Sequence, residues 1–271
     1  MQRTVFFISD GTAITTETLG HSLLTQFPDV PYKQVRIPFV ADAAMALEAV
    51  DQINAAFDTD GAAPLVFNSI VDPVLTEILM ESRGIILDFF SAFLDPMSQA
   101  LGVKPKRRVG KAHGVTDMQR YEDRMEATNY ALSHDDGVSL TYDKAELILV
   151  GVSRSGKTPT CLYMALHFGV KAANYPLTES DLEAQALPSF LRAHKRKIIG
   201  LMIDGDRLAQ IRDTRRPGSR YASLKQCHWE VEASESLLRA EGVPVFNTTH
   251  SSIEEIASRV LLQLGLQREM F

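Results

Sequence analysis

The chain has 271 residues, a formal net charge of −6 at pH 7, and hydrophobic residues at 45% of the total. This length suits one large or two ordinary globular domains, and the acidic balance argues against a general nucleic-acid binder, which usually carries a basic face. Two cysteines exclude a disulfide framework and no apolar run approaches the roughly 18 residues of a membrane span, so we expect a cytoplasmic protein without a nucleic-acid or membrane partner.

Strand-like and helix-like patterns alternate from end to end, which predicts an α/β fold with largely parallel sheets. In the first half, the predicted strands are residues 5–9, 34–39, 65–67 and 84–88. The segments between them space their apolar residues as helices do, and the predicted helices are residues 15–27, 41–57, 73–82 and 90–101. We therefore expect an N-terminal α/β domain with a mainly parallel sheet.

A basic stretch at residues 102–116 follows this half. It has few apolar side chains and five cations: Lys104, Lys106, Arg107, Arg108 and Lys111. We interpret it as an exposed loop, which is either a solvated linker or a surface for docking or for an anion. A helix is then predicted over residues 116–133, because Thr116 and Gln119 have capping-box spacing.

The second half repeats the alternation after a turn at residues 134–137, and we divide the chain into domains 1–138 and 139–271. Its predicted strands are residues 146–150, 170–175, 197–204 and 243–246. A long amphipathic helix is predicted over residues 223–241, and a last helix from Ser251 or Ser252. The order of the strands in the sheet does not follow from the sequence.

Residues 151–158 match G-x-x-x-x-G-K-[ST], the phosphate-binding pattern of P-loop nucleotide enzymes. We call them the phosphate loop; its members are Gly151, Val152, Ser153, Arg154, Ser155, Gly156, Lys157 and Thr158. A predicted strand precedes the loop and a helical pattern follows it, which is the context that supports the motif. The loop N–H groups and Lys157 would then hold a nucleotide diphosphate. The alternative is an ordinary turn between a strand and a helix.

Further candidates lie downstream of the phosphate loop. Asp204 ends an apolar strand, so it is predicted to hold Mg²⁺ together with the Thr158 hydroxyl, or else to cap the next helix. Arg215, Arg216 and Arg220 flank a Pro-Gly pair in an arginine-rich segment. We interpret this segment as a flexible lid that clamps the moving phosphoryl group, the alternative being a solvated helix end.

Three carboxylates are candidates for the base that takes a proton from a hydroxyl nucleophile. Asp135 and Asp136 are adjacent, and Asp10 follows the first strand. The Asp-Asp-Gly sequence is also common in plain turns. Asn247 follows the last strand at the sheet edge that faces ligands in open α/β folds, so it is a candidate contact for the nucleotide base.

The motifs taken together resemble the bifunctional regulatory proteins of phosphoenolpyruvate synthetase and pyruvate, phosphate dikinase. The motifs that carry the resemblance are residues 7–12 (FISDGT), 134–137 (HDDG), 151–160 (GVSRSGKTPT), 173–176 (ANYP), 219–224 (SRYASL) and 247–249 (NTT). The loop sequence Gly156-Lys157-Thr158 resembles the synthetase type. The resemblance covers nearly the whole chain.

This resemblance implies a C-terminal P-loop kinase-like domain that binds ADP on the phosphate loop and an N-terminal domain that docks the target. It implies a kinase that transfers phosphate from ADP to a threonine of phosphoenolpyruvate synthetase. It also implies a phosphorylase that removes the phosphate with inorganic phosphate and releases pyrophosphate. Two other classes stay open: a P-loop kinase of small molecules, and a non-catalytic nucleotide-sensing regulator. A homo-oligomer and a requirement for Mg²⁺ also stay open.

Overall fold

The structure, a computed structural model, describes residues 2–106 and 118–266. The chain divides into two compact units, Met1–Gly114 and Val115–Phe271. Each unit is built on a four-stranded sheet whose strands pair in parallel, with helices between the strands. The predicted α/β fold with parallel sheets is therefore confirmed.

The first unit has strand order β2-β1-β3-β4. Its strands are β1 (Arg3–Ile8), β2 (Tyr32–Ile37), β3 (Leu65–Asn68) and β4 (Ile85–Asp88). Its helices are α1 (Ile14–Leu24), α2 (Ala43–Asp60), α3 (Pro73–Met80) and α4 (Phe89–Leu101). Side chains alternate across a strand, so Phe6 of β1 packs with α2 and α3 on one face, while Phe7 packs with Leu24 of α1 on the other.

The second unit has the equivalent order β6-β5-β7-β8. Its strands are β5 (Leu147–Gly151), β6 (Ala172–Pro176), β7 (Ile198–Met202) and β8 (Val245–Asn247). Its helices are α5 (Met118–Ser133), α6 (Lys157–Phe168), α7 (Glu179–Ala184), α8 (Ser189–Arg192), α9 (Gly205–Arg215), α10 (Leu224–Ala240) and α11 (Ile253–Leu264). On one face Leu149 packs with α5, α6 and α11, and on the other Val150 packs with α10.

Two expectations differ from this fold. The division at residues 114 and 115 comes earlier than the predicted boundary at 138, because Ala127 and Ala131 of α5 are buried with Met164 of α6. Of the arginine-rich segment, residues 205–215 form the helix α9, so this part is the helix end given as the alternative to a flexible lid, and the Pro217-Gly218 turn lies beyond it. Residues 107–117, which hold most of the predicted basic loop and the Thr116 cap, lie outside the described residues.

The strand order fixes where a ligand site is expected in the second unit. From β5 the chain crosses to β6 on one side, while β7 and β8 continue on the other side. Ligands of open parallel sheets bind outside the carboxyl ends of the strands at such a switch point. The residues that follow β5 and β7 therefore lie where a ligand is expected to bind. No helix in the described part of the chain is both long and apolar enough to span a membrane.

Candidate active site at the phosphate loop

The phosphate loop connects β5 to α6 at the switch point, so the predicted sequence of strand, loop and helix is observed. Its two glycines are required for different structural reasons. A Cβ atom on Gly151 would lie 2.2 Å from the carbonyl oxygen of Leu201 on β7, so a side chain does not fit there. Gly156 caps α6 with a φ of 89°, a left-handed conformation that glycine adopts at little cost.

Lys157 is folded back into the loop. Its side chain is 3% exposed, and its ammonium group donates a hydrogen bond to the carbonyl oxygen of Val152 at 2.8 Å. Burial is the main cause that lowers the pKa of Lys157 to about 8. The negative charges of Asp136 and Asp135 act in the other direction and raise it, but by less. A desolvated ammonium group at this position gains from an anion that binds beside it.

Arg212 on α9 contacts the main chain of the phosphate loop. It is wholly buried, pairs with Glu230 at 2.7 Å, and donates to the carbonyl oxygen of Ser153 at 3.1 Å. Burial opposes its charge, but the hydrogen bond and charge of Glu230 outweigh this and raise the pKa of Arg212. Its guanidinium group also lies over the Tyr221 ring, 4.0 Å from the centroid. Arg212 therefore has a structural role here, although it belongs to the arginine-rich segment.

The chain after β8 also contacts the main chain of the phosphate loop. The single proton of the Thr248 hydroxyl is shared between the carbonyl oxygens of Ser155, at 3.2 Å, and Met202, at 2.9 Å. It therefore connects the phosphate loop to the ends of β7 and β8. Asn247 itself is exposed, and its side-chain oxygen accepts a hydrogen bond from the N–H of Thr249 at 2.9 Å. Its predicted contact with the nucleotide base stays a prediction.

Asp135 and Asp136, which we call the acidic pair, lie in a short 3₁₀ turn after α5. The Thr158 hydroxyl donates to Asp135 Oδ1 at 2.7 Å, which ties the turn to the first turn of α6. Asn174 on β6 holds the same turn from the sheet. Its amide nitrogen donates to Asp135 Oδ1 at 2.5 Å, and its oxygen accepts from the Asp136 N–H at 3.0 Å.

One cleft of about 530 Å³ collects several predicted residues. Volumes of about 300–1,000 Å³ are usual for small-molecule sites. The cleft is lined by Asp135, Asp136, Ser153, Arg154, Gly156, Lys157, Thr158, Pro159, Ile211 and Arg215. The structure thus brings together the phosphate loop, the acidic pair and one of the three predicted arginines.

Other predicted residues are placed elsewhere. Arg216 is the exposed C-terminal cap of α9, and Arg220 forms an ion pair with Glu179 at 2.5 Å. Asp10 belongs to the first unit, where its carboxylate accepts a hydrogen bond from the Val71 N–H at 2.8 Å. Of the arginine clamp, Arg215 is the member that the cleft contains.

The predicted metal ligands, Thr158 and Asp204, have separate partners. The Asp204 carboxylate accepts from the N–H groups of Asp206 and Arg207 and so caps α9, while the Thr158 hydroxyl donates to Asp135. Within residues 2–106 and 118–266, no three His, Cys, Asp or Glu side chains converge as a metal site. The predicted role of Thr158 and Asp204 in holding Mg²⁺ stays a prediction.

Sequence reasoning did not select Asn174 or Arg212 for the site. Asn174 belongs to the motif at residues 173–176, and a polar residue inside the apolar strand Ala172–Pro176 is the signal that points to it. Arg212 has no comparable signal, because nothing in its neighbours distinguishes a buried arginine from the solvated ones around it.

A family model and several similar proteins assign the chain to the same family. A sequence model described as kinase/pyrophosphorylase matches residues 5–261. Three similar relatives carry the name "Putative phosphoenolpyruvate synthase regulatory protein". The relative from Stenotrophomonas maltophilia (strain R551-3) is 53% identical over 269 residues, which are 99% of this chain and 98% of the relative. Those from Xanthomonas campestris pv. campestris (strain B100) and Pseudomonas putida (strain GB-1) are each 51% identical over 99% of this chain, and over 98% and 99% of their own lengths.

These matches extend over both units and confirm the resemblance that the motifs indicated. The chain belongs to the kinase/pyrophosphorylase family.

Proposed function

We propose that this protein phosphorylates a threonine of phosphoenolpyruvate synthetase, with ADP as the phosphoryl donor, and thereby inactivates it. In the opposite direction it removes that phosphate with inorganic phosphate and releases pyrophosphate. The relatives' names describe regulators of phosphoenolpyruvate synthase, and the family description includes both kinase and pyrophosphorylase. The observation that carries the proposal is the cleft in which Lys157, Arg215 and the acidic pair face one volume.

In the forward reaction the loop N–H groups bind the diphosphate of ADP. Lys157 and Arg215 place positive charge beside the terminal phosphoryl group, where negative charge is redistributed in the transition state. The threonine oxygen forms a bond to the β-phosphorus, and the bond from phosphorus to the bridging oxygen breaks. That electron pair leaves with AMP, and the threonine proton passes to a carboxylate of the acidic pair.

In the reverse reaction inorganic phosphate occupies the same cleft beside the phosphothreonine. An oxygen of the free phosphate forms a bond to the phosphorus, and the bond from phosphorus to the threonine oxygen breaks. The proton of the attacking phosphate passes through a carboxylate of the acidic pair to the threonine oxygen, and pyrophosphate leaves. Both directions need one site that holds two phosphoryl groups in line, which a phosphate loop with two flanking cations supplies.

The Thr158 hydroxyl and the Asp204 carboxylate remain the candidate ligands for a Mg²⁺ ion that arrives with the nucleotide, although they bond here to Asp135 and to the first N–H groups of α9. Mg²⁺ usually keeps several waters and binds nucleotide phosphates with only one or two carboxylates. A metal ion supplied with the nucleotide would add positive charge at the phosphates. No step above depends on it.

Transfer of label from ADP tests the proposal. The protein is incubated with ADP labelled in the β-phosphate and with purified phosphoenolpyruvate synthetase; ADP labelled in the α-phosphate is the control. We expect β-label on a threonine of the synthetase, one AMP per phosphothreonine, and no label from α-labelled ADP. Adding inorganic phosphate should release the label as pyrophosphate.

The same experiment separates the alternatives. Label in a small product instead of in protein would favour a small-molecule kinase. Saturable binding of ADP without any turnover would favour a nucleotide-sensing regulator. Either result contradicts the proposed function.

A further inference from the structure

Asn174 is a buried polar side chain with both ends of its amide in use. It is 0% exposed on the interior of the second unit, and its amide oxygen and nitrogen hydrogen-bond to Asp136 and Asp135, while the Cys161 thiol also contacts the side chain. Its own N–H donates to the carbonyl oxygen of His134 at 3.2 Å, just before the pair. A buried amide with these three hydrogen bonds fixes the turn at residues 134–136 relative to β6.

The two carboxylates of the pair differ in what surrounds them. Asp135 Oδ1 accepts hydrogen bonds from both Thr158 and Asn174, so this carboxylate is occupied in holding the turn to α6 and β6. Asp136 is held through its backbone N–H instead, which leaves its carboxylate exposed in the cleft.

The backbone of Asp136 supports this difference. Its φ of 47° and ψ of 33° lie in the left-handed region, which costs a residue with a Cβ about 1 kcal/mol or more. The hydrogen bond from its N–H to Asn174 holds it there. The left-handed conformation of Asp136 is therefore held by a buried side chain from β6.

We propose that Asn174 is a positioning residue that holds Asp136 as the group that takes the threonine proton, and that Asp135 anchors the turn. This inference rests on the proposed function, since it assigns roles within that reaction. It decides between the two adjacent carboxylates, which the sequence leaves equivalent.

Two substitutions in the pair test the roles without disturbing the fold. Asp136→Asn keeps the backbone N–H and removes the proton acceptor, so its kcat should fall at least ~100-fold, the usual scale for a general base. Asp135→Asn keeps an amide oxygen for its two donors and should lose less than ~10-fold. The opposite order of the two losses would overturn the assignment.

Substitution of Asn174 tests the positioning. Asn174→Ala should lower kcat about 10- to 100-fold, because small displacements of a reacting group cost this much, while the Kd for ADP stays within about fivefold. In the Asp136→Asn background the same change should cost less than about threefold, since there is no base left to position. An equal loss in both backgrounds would mean that Asn174 acts only on general stability, and would overturn the inference.

Asn68 is the matched control. It is also 0% exposed, accepts from the Ile70 N–H at 3.1 Å and donates to the Thr76 hydroxyl at 3.3 Å, but in the first unit. Asn68→Ala should lower the melting temperature comparably and leave kcat within about threefold of wild type. If Asn68→Ala and Asn174→Ala lower kcat equally, the specific role of Asn174 is wrong.

Hydrogen exchange separates this inference from the proposed function. The Asp136 amide should exchange at least ~10-fold faster in Asn174→Ala than in wild type or Asn68→Ala, as measured by NMR, because its acceptor is gone. Unchanged exchange would overturn the positioning role whether or not the protein transfers phosphate. A wild-type protein that gives no transfer from ADP contradicts the proposed function instead, and with it the assignment of Asp136 as base.

Discussion

The ammonium group of Lys157 donates a hydrogen bond to the Val152 carbonyl oxygen inside its own loop, at 2.8 Å. The lysine therefore folds back where a phosphate would lie, and it keeps its charge in a buried position at some cost in stability. The pKa of Lys157, lowered by burial to about 8, reflects that cost. An anion in the loop would compensate for it, which links the stability of the protein to ligand binding.

Replacing Lys157 by methionine should stabilise the protein without ligand. Each pKa unit corresponds to about 1.4 kcal/mol, so relieving the shift gains about 3 kcal/mol, and the lost hydrogen bond takes back about 1 kcal/mol. The Val152 carbonyl still accepts from the Ser155 N–H at 3.3 Å, so it keeps a partner. Urea denaturation at pH 7 should show a net gain of about 2 kcal/mol together with loss of ADP binding. An unchanged or lower stability would contradict the buried, charged state of Lys157.

The pH dependence follows from the same lysine. Between about pH 8 and 10.5 the unfolded chain still binds the Lys157 proton and the folded chain does not. Its contribution to the free energy of unfolding must therefore rise with pH across this window and be constant below it. The difference in unfolding free energy between wild type and Lys157→Met isolates this contribution from other titrating groups. A difference that is flat from pH 8 to 10.5 would be inconsistent with a depressed pKa.

The affinity for ADP should fall as the pH rises, whereas the stability contribution of Lys157 increases. Above about pH 8 the free lysine loses its proton, and a neutral amine binds phosphate poorly. The Kd for ADP, measured by calorimetry, should increase up to about tenfold per pH unit above this value, with uptake of a proton on binding. A Kd that is constant from pH 7 to 10 would count against contact between Lys157 and the phosphates.

The two loop glycines should respond differently to alanine. At Gly151 the new Cβ would meet the Leu201 backbone at 2.2 Å, so β5 and β7 would have to separate, and we expect a loss of about 3 kcal/mol in stability. At Gly156 no atom beyond the two neighbouring residues lies within 4 Å of the new Cβ, so the cost comes from the left-handed φ and is about 1 kcal/mol. Denaturation of both variants gives the comparison, and equal losses would show that the close approach at Gly151 is relieved cheaply.

Arg215 should contribute to catalysis through its charge. It lines the cleft, so Arg215→Ala should lower kcat about 100-fold, the scale of losing one preorganised positive group at the transferring phosphoryl group. Arg239→Ala is a suitable control, since this arginine on α10 pairs with Glu235 and is 76% exposed. Its kcat should stay within about threefold of wild type. Equal rates for the two variants would remove Arg215 from the mechanism.

Much of the fold could be predicted because its patterns are local. The strand before the phosphate loop, the helix after it and the glycines at its ends are set by residues within the segment itself. Helix α9 escaped prediction because its apolar residues are few and it carries Arg207, Arg212 and Arg215, a composition that a solvated segment shares. In the structure it is distinguished by the burial of Leu208 and Arg212 and by the ion pair of Arg212 with Glu230.

The individual motifs of the site could be predicted from the sequence, but the hydrogen bonds that join them could not. The Asp135 and Asp136 turn and the phosphate loop were both recognised, yet their contact through Thr158 spans 23 positions. The contact of Asn174 with the pair depends on β6 lying beside β5, and the strand order does not follow from the sequence. For Asp204 the sequence left a metal role and a helix cap open; the structure shows that it caps α9, and its metal role stays a prediction.

A crystal structure of the protein with ADP bound is the most direct test of the central claim, that the main chain at residues 151–158 holds the diphosphate. We predict that the terminal phosphate lies within about 2.7–3.2 Å of Lys157 Nζ and of loop N–H groups, with Arg215 and Asp136 facing it. ADP bound at another place in the chain, or a loop in which Lys157 stays on Val152 and admits no anion, would contradict the account.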